Sequence, residues 1–227
     1  MGRGQKASAK WMRWGAALLV LLPLCVVWTM AGWRLGGYLV LGGEARRNPL
    51  LLSFLGGAVA WWVCFAAGIK PVRVYLLGHE LTHAIWAWMF GGKVTALRVG
   101  RDGGCVQTDR VNFWISLAPY FFPLYCVLSV WLWWLAGFWV SLDGHLWVLL
   151  AVMGVTWGFH VSFTLMMLGR FQPDIAGEGW LFSLSLIYLL NLIPLLLLLV
   201  FVSPELRMHD MWRALAWAIG CLRSGAG

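Results

Sequence analysis

The sequence predicts an all-α polytopic membrane protein with about six transmembrane helices and one membrane-associated β-hairpin. Of the 227 residues, 61% are hydrophobic and only 11% are charged, whereas roughly a quarter of the residues in a soluble domain are charged. The 18 tryptophans are typical of the aromatic belts that lie at both surfaces of a membrane. This composition excludes a water-soluble globular domain, and we expect residues 1–227 to form a single integral-membrane domain.

Six apolar runs, separated by charged residues or by Pro and Gly, supply the predicted spans, because about 20 apolar residues cross a bilayer. The runs are Gly15–Trp33, Leu50–Ile69, Val74–Phe90, Phe113–Val140, Leu146–Leu168 and Trp180–Val202. The first run is longer than the roughly 7–15 apolar residues of a signal peptide. We therefore expect it to remain in the protein as a span.

The segment between the third and fourth runs has a different pattern. The apolar residues within Val94–Val99 indicate one strand, and Cys105–Thr108 indicates another. Between them, Asp102-Gly103 is a strong signal for a tight hairpin turn. The sequence therefore predicts a β-hairpin over residues 94–109, directly after the third helix.

The C-terminal residues predict a helix that lies along the membrane surface. Ser203-Pro204-Glu205 is typical of a helix start, and apolar and basic residues alternate after it. We therefore expect an interfacial helix over residues 204–223. The net charge of +8 arises from basic residues beside apolar runs. This arrangement indicates contact with anionic headgroups of the lipid bilayer and no nucleic acid as a partner.

The third run contains three ionisable residues, His79, Glu80 and His83, in the pattern HExxH. Ionisable residues inside a membrane span are costly to bury, so they indicate a functional site. Residues i and i+4 lie on one face of a helix, which lets both imidazoles reach one ion. Neutral histidine nitrogens suit Zn²⁺. Glu80 lies next to His79, where its carboxylate can act as a general base and later as a general acid.

A catalytic zinc ion also requires a third protein ligand, and two residues are candidates. Asp174 follows Pro173 in the polar break after the fifth run. Counting the spans puts this break on the same side of the bilayer as the C-terminal half of the HExxH helix. His160 lies within the fifth run, at a depth that matches the other histidines more closely. The residues favour Asp174 and leave His160 as the alternative.

Three stretches resemble motifs of the site-2 protease family of intramembrane zinc metalloproteases. Gly78–Ala84 resembles the family's first motif, which lies on a transmembrane helix. Leu117-Ala118-Pro119 is similar to the small-residue-and-proline stretch that follows the membrane-associated hairpin. Phe171-Gln172-Pro173-Asp174 is similar to the later Asn-Pro-Asp-Gly motif, although Gln172 stands in the position of Asn. The resemblance implies a metalloprotease core over residues 69–195.

The resemblance also implies an activity and a set of site residues. It implies one Zn²⁺ per chain, bound by His79, His83 and Asp174, with Glu80 as the catalytic residue. The expected protein is a zinc metalloendopeptidase of the bacterial cytoplasmic membrane, a multi-pass protein that cleaves a membrane-protein substrate in or beside its transmembrane helix. An edge strand of the hairpin over residues 94–109 could hold that substrate extended by β-augmentation.

Two other functions would also fit a metal cluster in a membrane helix. A catalytically silent relative could bind membrane partners, but it would have no need of the base Glu80. A metal transporter or sensor would require several ionisable residues along a path through the membrane. The sequence has one tight cluster, which favours the protease.

Overall fold

The computed structural model of the protein describes residues 11–43, 47–100, 103–170 and 172–225. Helix α1 covers Trp11–Leu41 and includes a π-helical segment over Ala17–Leu21. The further elements are α2 (Pro49–Ala66), α3 (Val72–Met89), β1 (Val94–Val99), β2 (Gly104–Thr108), α4 (Phe113–Phe121), α5 (Leu124–Ala136), α6 (Leu146–Leu168), α7 (Pro173–Glu178), α8 (Trp180–Val202) and α9 (Met208–Ser224). Arg101 and Asp102 of the predicted turn, and Phe171 of the motif before Asp174, lie outside the described residues.

The described helices are those of a membrane protein. Four of them, α1, α2, α6 and α8, are long and apolar enough to cross a bilayer. The pair α4 and α5 would make a fifth span if the two helices are counted together. The predicted number of six is not confirmed, because α3 contains polar and charged residues that reduce its apolar character.

Helix α1 continues beyond the predicted end of the first span. The apolar run ends at Trp33, but the helix passes through Arg34 and ends at Leu41. One charged side chain leaves the backbone hydrogen bonds of a helix intact, whereas glycine readily ends a helix. The chain leaves the helix through Gly42 and Gly43, and Gly43 has a φ of 73°.

The fourth apolar run, Phe113–Val140, contains two prolines and forms two helices in the structure. Helices α4 and α5 meet at an angle of 72°. Pro123 causes this break, because the residue before a proline is disfavoured in the α conformation. Phe122 accordingly has an extended backbone, with φ −97° and ψ 104°. Helix α5 ends at Ala136, and a turn follows, so the helix stops before the end of the apolar run at Val140.

The predicted β-hairpin is confirmed. Strands β1 and β2 pair antiparallel, with Leu97 opposite Val106 and Val99 opposite Gly104. The chain leaves α3 through Gly91, whose positive φ of 70° favours glycine. The hairpin packs directly against α3, and this contact brings a strand beside the HExxH residues.

The C-terminal helix begins later than the sequence predicts. Residues 204–207 form a turn and irregular chain, and α9 begins at Met208. Asp210 determines this start, because its carboxylate accepts a hydrogen bond from the backbone N–H of Arg207 at 2.9 Å. An acidic residue in the first turn is favourable at a helix N-terminus. The predicted boundary of 204–223 is thus replaced by Met208–Ser224.

The chain packs as two compact units. One unit comprises the described residues of 53–174, and it contains α3, the hairpin, α4, α5, α6 and most of α2. The other comprises the described residues up to 52 and from 175 onward, with α1, α8 and α9. In this second unit, α1 packs against both α8 and α9.

Helices α2 and α6 approach each other closely at two glycines. A Cβ atom on Gly57 would overlap the backbone of Ala151, and one on Gly154 would overlap the backbone carbonyl of Phe54. Small residues at such a crossing let two helix backbones pack closely in a membrane. Close packing of α2 on α6 therefore requires glycine at both positions.

An aromatic cluster attaches α3 to α6. Tyr75 of α3 packs with Phe159 and Phe163 of α6, and all three side chains are buried. The rings of Tyr75 and Phe163 are stacked, with centroids 4.7 Å apart. Because Tyr75 precedes His79 by one helical turn, this cluster fixes the position of the HExxH face.

Candidate metal centre

Glycine lets α5 approach α3 next to the HExxH residues. A Cβ atom on Gly78 would lie 2.7 Å from the ring of Tyr125, so the ring requires glycine there. The Tyr125 hydroxyl donates a hydrogen bond to the backbone carbonyl of Val74 at 2.6 Å. This hydrogen bond and the ring contact position the part of α3 that precedes His79.

His79 and His83 converge with Asp174 at one point. The Nε2 atoms of His79 and His83 lie 3.8 and 3.7 Å from Oδ2 of Asp174. The three candidate ligand atoms all lie within 4.8 Å of one another, so the group could hold a metal ion. Asp174 reaches this point from the first turn of α7, directly after Pro173.

The donor set of this group fits zinc. Zinc binds histidine nitrogens and carboxylate oxygens at about 2.0–2.2 Å in a tetrahedral arrangement, in which neighbouring ligand atoms lie roughly 3.3–3.6 Å apart. The Nε2–Oδ2 separations of 3.7 and 3.8 Å are only slightly wider. Two nitrogens and one carboxylate oxygen are also the three-ligand set of several catalytic zinc sites, which leave the fourth position open.

Hydrogen bonds at the other ring nitrogens orient both imidazoles. Nδ1 of His83 lies 2.8 Å from the backbone carbonyl of Ile115. A carbonyl only accepts, so Nδ1 carries the proton and Nε2 is left with its lone pair toward the centre. Nδ1 of His79 lies 3.1 Å from the hydroxyl of Tyr75. Such partners are typical of metal-binding histidines, because they fix the ring orientation and the tautomer.

The Tyr120 hydroxyl stabilises the segment that carries Asp174. It lies 3.3 Å from Oδ2 of Asp174 and 3.2 Å from Oε1 of Gln172, so it can donate to either acceptor. Tyr120 is fully buried, and its ring meets the His79 ring edge to face at 5.2 Å. Tyr120, on α4, thus contacts both Asp174 and His79.

The electrostatic surroundings keep Asp174 ionised. Burial by itself would raise the pKa of this carboxyl group, but the neighbouring imidazoles of His79 and His83 outweigh it. They hold the pKa well below its usual range. A carboxylate must be deprotonated to bind a metal, so Asp174 is in the required state.

Glu80 lies beside this group and against the hairpin. Its side chain is buried, with 7% exposure. A Cβ atom on Gly104, at the start of β2, would lie 2.6 Å from Oε1 of Glu80 and 2.7 Å from its Cδ. The backbone of β2 can therefore pack on this carboxylate only because residue 104 is glycine.

A cavity of about 720 Å³ opens over the four polar residues. His79, Glu80, His83 and Asp174 line it together with residues 103–106 and Thr108 of the hairpin. Ligand pockets typically measure about 300–1,000 Å³, so this one can take several residues of a peptide. Residues of strand β2, two imidazoles and two carboxylates therefore line the same cavity.

The alternative ligand, His160, lines a small cavity next to His79 but is not part of the candidate metal group. It is buried on α6, with its ring 6.1 Å from that of Trp157. Among the described residues, the metal-ligating group that includes the HExxH histidines contains Asp174 and does not contain His160. The role of Asp174 as the third ligand stays a prediction, since no ion is part of the structure.

The sequence alone did not identify three residues of the site. Tyr75 precedes His79 by four positions, so its place on the same helix face could have been found from the spacing. Tyr120 directly follows Pro119 of the family-like stretch, but its contact with Asp174 depends on the tertiary fold. Gly104 gives no local signal, because its role arises where β2 meets α3.

The chain has no significant match among protein-family models, curated proteins or solved structures.

Proposed function

We propose that this protein is an intramembrane zinc metalloendopeptidase of the site-2 protease type, with its metalloprotease core at residues 69–195. One observation carries the proposal: His79, His83 and Asp174 converge within 4.8 Å, with the buried carboxylate of Glu80 beside them in one cavity. A carboxylate that is not a ligand is what metal-assisted hydrolysis requires in addition to the metal.

In this proposal, His79, His83 and Asp174 would hold one Zn²⁺. When bound, zinc would supply Lewis acidity at the scissile carbonyl and the attacking water. The hydrogen bond that His83 Nδ1 donates to the Ile115 carbonyl and the contact of His79 Nδ1 with the Tyr75 hydroxyl support the proposal, because they direct both Nε2 atoms toward the centre. The low pKa of Asp174 supplies the negative charge that partly balances the ion.

Glu80 carries out the proton transfers. Its carboxylate accepts a proton from water as the oxygen adds to the carbonyl carbon of the scissile peptide bond. Glu80 then gives this proton to the amide nitrogen as the C–N bond breaks, which leaves a carboxylate and an amine as products. Burial and the packing of Gly104 restrict the movement of the Glu80 side chain, which favours both transfers.

The substrate we propose is the transmembrane helix of another membrane protein. A helix hides its backbone in its own hydrogen bonds, so it must unwind locally before water can reach a peptide carbonyl. An extended segment could add to the sheet edge through backbone hydrogen bonds. The cavity supports this arrangement, because residues of β2 line it together with Glu80 and the candidate zinc ligands.

The proposal includes a membrane arrangement. We propose that α1, α2, α3, the bent pair α4 and α5, α6 and α8 make six spans of a multi-pass protein in a bacterial cytoplasmic membrane. Helix α3 is less apolar than the others because of its site residues. The other helices would shield those residues from lipid.

The test compares variants of the purified protein by zinc content and by cleavage of single-span substrates with a helix-destabilised, epitope-tagged transmembrane segment. We expect Glu80→Gln to retain zinc and lose activity by about 10²–10⁴-fold. Asp174→Asn should lose zinc affinity by about 10-fold or more, whereas His160→Gln should retain both zinc and activity.

Each result distinguishes the protease from the alternatives. If Glu80→Gln binds zinc and cleaves at the wild-type rate, the proposed mechanism is wrong. If His160→Gln and not Asp174→Asn releases the metal, the ligand assignment passes to His160. Zinc uptake into proteoliposomes without any cleavage would support transport instead.

A further inference from the structure

A second polar cavity lies in the unit formed by α1, α8 and α9. None of the residues that line it belongs to the candidate metal centre. This second cavity measures about 520 Å³. Its lining combines two cationic, two acidic and two aromatic side chains, namely Arg34, Arg213, Glu205, Asp210, Tyr38 and Trp217. Nothing in the proposed proteolysis uses these residues.

The length of α1 puts this cavity at a membrane surface. Arg13 and Arg34 lie on one helix, and 21 positions at 1.5 Å per residue separate them by about 32 Å. The hydrocarbon core of a bilayer is about 30 Å thick. Trp14 and Trp33, adjacent to the two arginines, are both exposed, as aromatic residues in the two interfacial belts would be.

The length of helix α8 independently places the cavity at a membrane surface. At one end, Arg13 forms an ion pair with Glu178 at 2.6 Å, just before α8 begins. The 23 residues of α8 rise by about 34 Å and end at Val202, shortly before Glu205. Both helices therefore have one charged end at the Arg13–Glu178 pair and another at the cavity, where lipid headgroups lie.

Two guanidiniums line the cavity and could meet an anion. The guanidinium of Arg34 lies over the Trp217 ring at 4.8 Å and over the Tyr38 ring at 5.9 Å. Stacking on aromatic rings holds a guanidinium in place while its N–H groups stay available. Among the ion pairs of the described residues, none involves Arg34 or Arg213. Arg34 also donates a hydrogen bond to the Tyr38 hydroxyl at 3.5 Å. Two guanidiniums that line one cavity suit a phosphate.

Two carboxylates line the same cavity and could meet a cation. Glu205 is exposed at the cavity, and Asp210 is held in place by its hydrogen bond from the Arg207 N–H. A ligand that satisfies both pairs carries a phosphate and an ammonium group. The exposed apolar surface of α1 at Val26 and Trp33 would receive acyl chains attached to such a group.

We propose that this cavity binds the headgroup of a zwitterionic phospholipid with a primary amine, such as phosphatidylethanolamine. The phosphate meets Arg34 and Arg213, and the amine meets Glu205 and Asp210. Bound lipid of this kind attaches α9 to the end of α1 at the membrane surface.

The experiment measures lipid binding to the full-length protein in detergent by native mass spectrometry. Wild type and variants are titrated with phosphatidylethanolamine, with phosphatidylglycerol, which lacks the amine, and with inorganic phosphate. We expect wild type to prefer phosphatidylethanolamine several-fold. Arg213→Gln should weaken this binding by about 10-fold, and Arg223→Gln, on the same helix but outside the cavity, should bind as wild type does.

Further variants test the two halves of the headgroup separately. Glu205→Gln should reduce the preference for phosphatidylethanolamine over phosphatidylglycerol, because it removes a partner of the amine only. Arg34→Lys should bind more weakly than wild type, since lysine lacks the planar, stacked guanidinium. Equal binding by Arg213→Gln and wild type would overturn the proposal. So would equal wild-type affinity for the two lipids, or displacement of the lipid by millimolar inorganic phosphate.

Discussion

Around the candidate metal centre, neighbouring groups orient the three candidate ligands so that they can bind one ion. Nδ1 of His83 donates to Ile115, and Nδ1 of His79 is paired with Tyr75. Tyr120 contacts Asp174 from a third direction. In zinc proteins, removal of such supporting partners typically weakens metal affinity by about 10–100-fold. The same range is therefore expected for the partner hydroxyls in this protein.

Tyr120→Phe tests this expectation at one atom. The change removes the hydroxyl that lies 3.3 Å from Asp174 and preserves the ring in its buried site. We expect zinc affinity to fall by about 10-fold, measured by competition with a chromophoric chelator. The control is Tyr188→Phe, which loses a hydroxyl contact with Thr29 at 2.7 Å outside the site. Equal zinc affinity in the two variants would show that Tyr120 does not support the ligand.

Gly104→Ala tests the contact between the hairpin and the carboxylate of Glu80, the proposed catalytic residue. Its Cβ atom would lie 2.6 Å from Oε1 of Glu80, so the carboxylate must move. A misplacement of about 1 Å can reduce turnover by about 10²-fold, while the zinc content should stay constant because no ligand is touched. Gly100→Ala is the matched control, since Gly100 does not line the cavity and the atom nearest to its Cβ, the Gly103 carbonyl oxygen, would be 3.4 Å away. Equal peptidase rates for the two variants would contradict the proposed contact.

At the scale of elements, helix crossings and helix breaks determine where the site residues come together. The crossing of α2 and α6 requires Gly57 and Gly154, and α6 in turn holds α3 through the cluster that contains Tyr75. The break before Pro123 separates α4 from α5. One consequence is that Tyr120, on α4, and Tyr125, on α5, contact the HExxH helix separately.

Two adjacent glycines on α2 allow a test of the crossing. Gly57→Ala adds a Cβ atom that would overlap the Ala151 backbone, whereas the Cβ atom of Gly56→Ala has nothing within 4 Å. Overpacking typically costs about 1–3 kcal/mol, so we expect Gly57→Ala to unfold at a lower temperature in detergent. Gly56→Ala should be neutral or slightly stabilising, because alanine is the better helix former. A melting temperature of Gly57→Ala that equals that of Gly56→Ala would refute the close crossing.

At the scale of the whole molecule, features that depend on local pattern could be predicted and those that depend on distant contacts could not. Helices α6 and α8 begin and end at the residues where their apolar runs do, and Asp102-Gly103 predicted the hairpin between its two strands. The continuation of α1 past Arg34 was missed because a charge ends an apolar run without ending a helix. Tyr120 and Gly104 were missed because their contacts join elements that are separated in the chain.

In the candidate site, too, the features that depend on local spacing could be predicted, and those that depend on tertiary contacts could not. His79 and His83 share a helix face by their spacing, and this needs no knowledge of the fold. The approach of Asp174 to them was expected from Pro173 and from the side of the membrane, and the structure brings the three residues together. The support from Ile115 and Tyr120 arises only when α4 packs against α3. Local spacing thus predicted the candidate histidine pair, while the tertiary fold determines how closely Asp174 approaches it.

Metal removal tests whether the fold or the ion assembles this centre. Protein partners already hold the candidate ligands, namely Tyr75, Ile115 and Tyr120 for His79, His83 and Asp174. We therefore expect a chelator to abolish peptidase activity and leave the far-ultraviolet circular dichroism spectrum unchanged, with activity restored by added Zn²⁺. Zinc binds only the folded state strongly, so a 100-fold excess over its Kd should stabilise the wild type by about 2.7 kcal/mol. The melting temperature should rise accordingly, and it should rise only about half as much or less in Asp174→Asn, because a 10-fold weaker site at the same zinc concentration gains about 1.4 kcal/mol. Loss of helical signal on chelation would instead mean that the ion is structural, as in domains that are unfolded without their metal, and that the hydrogen bonds around the ligands do not suffice to maintain the site.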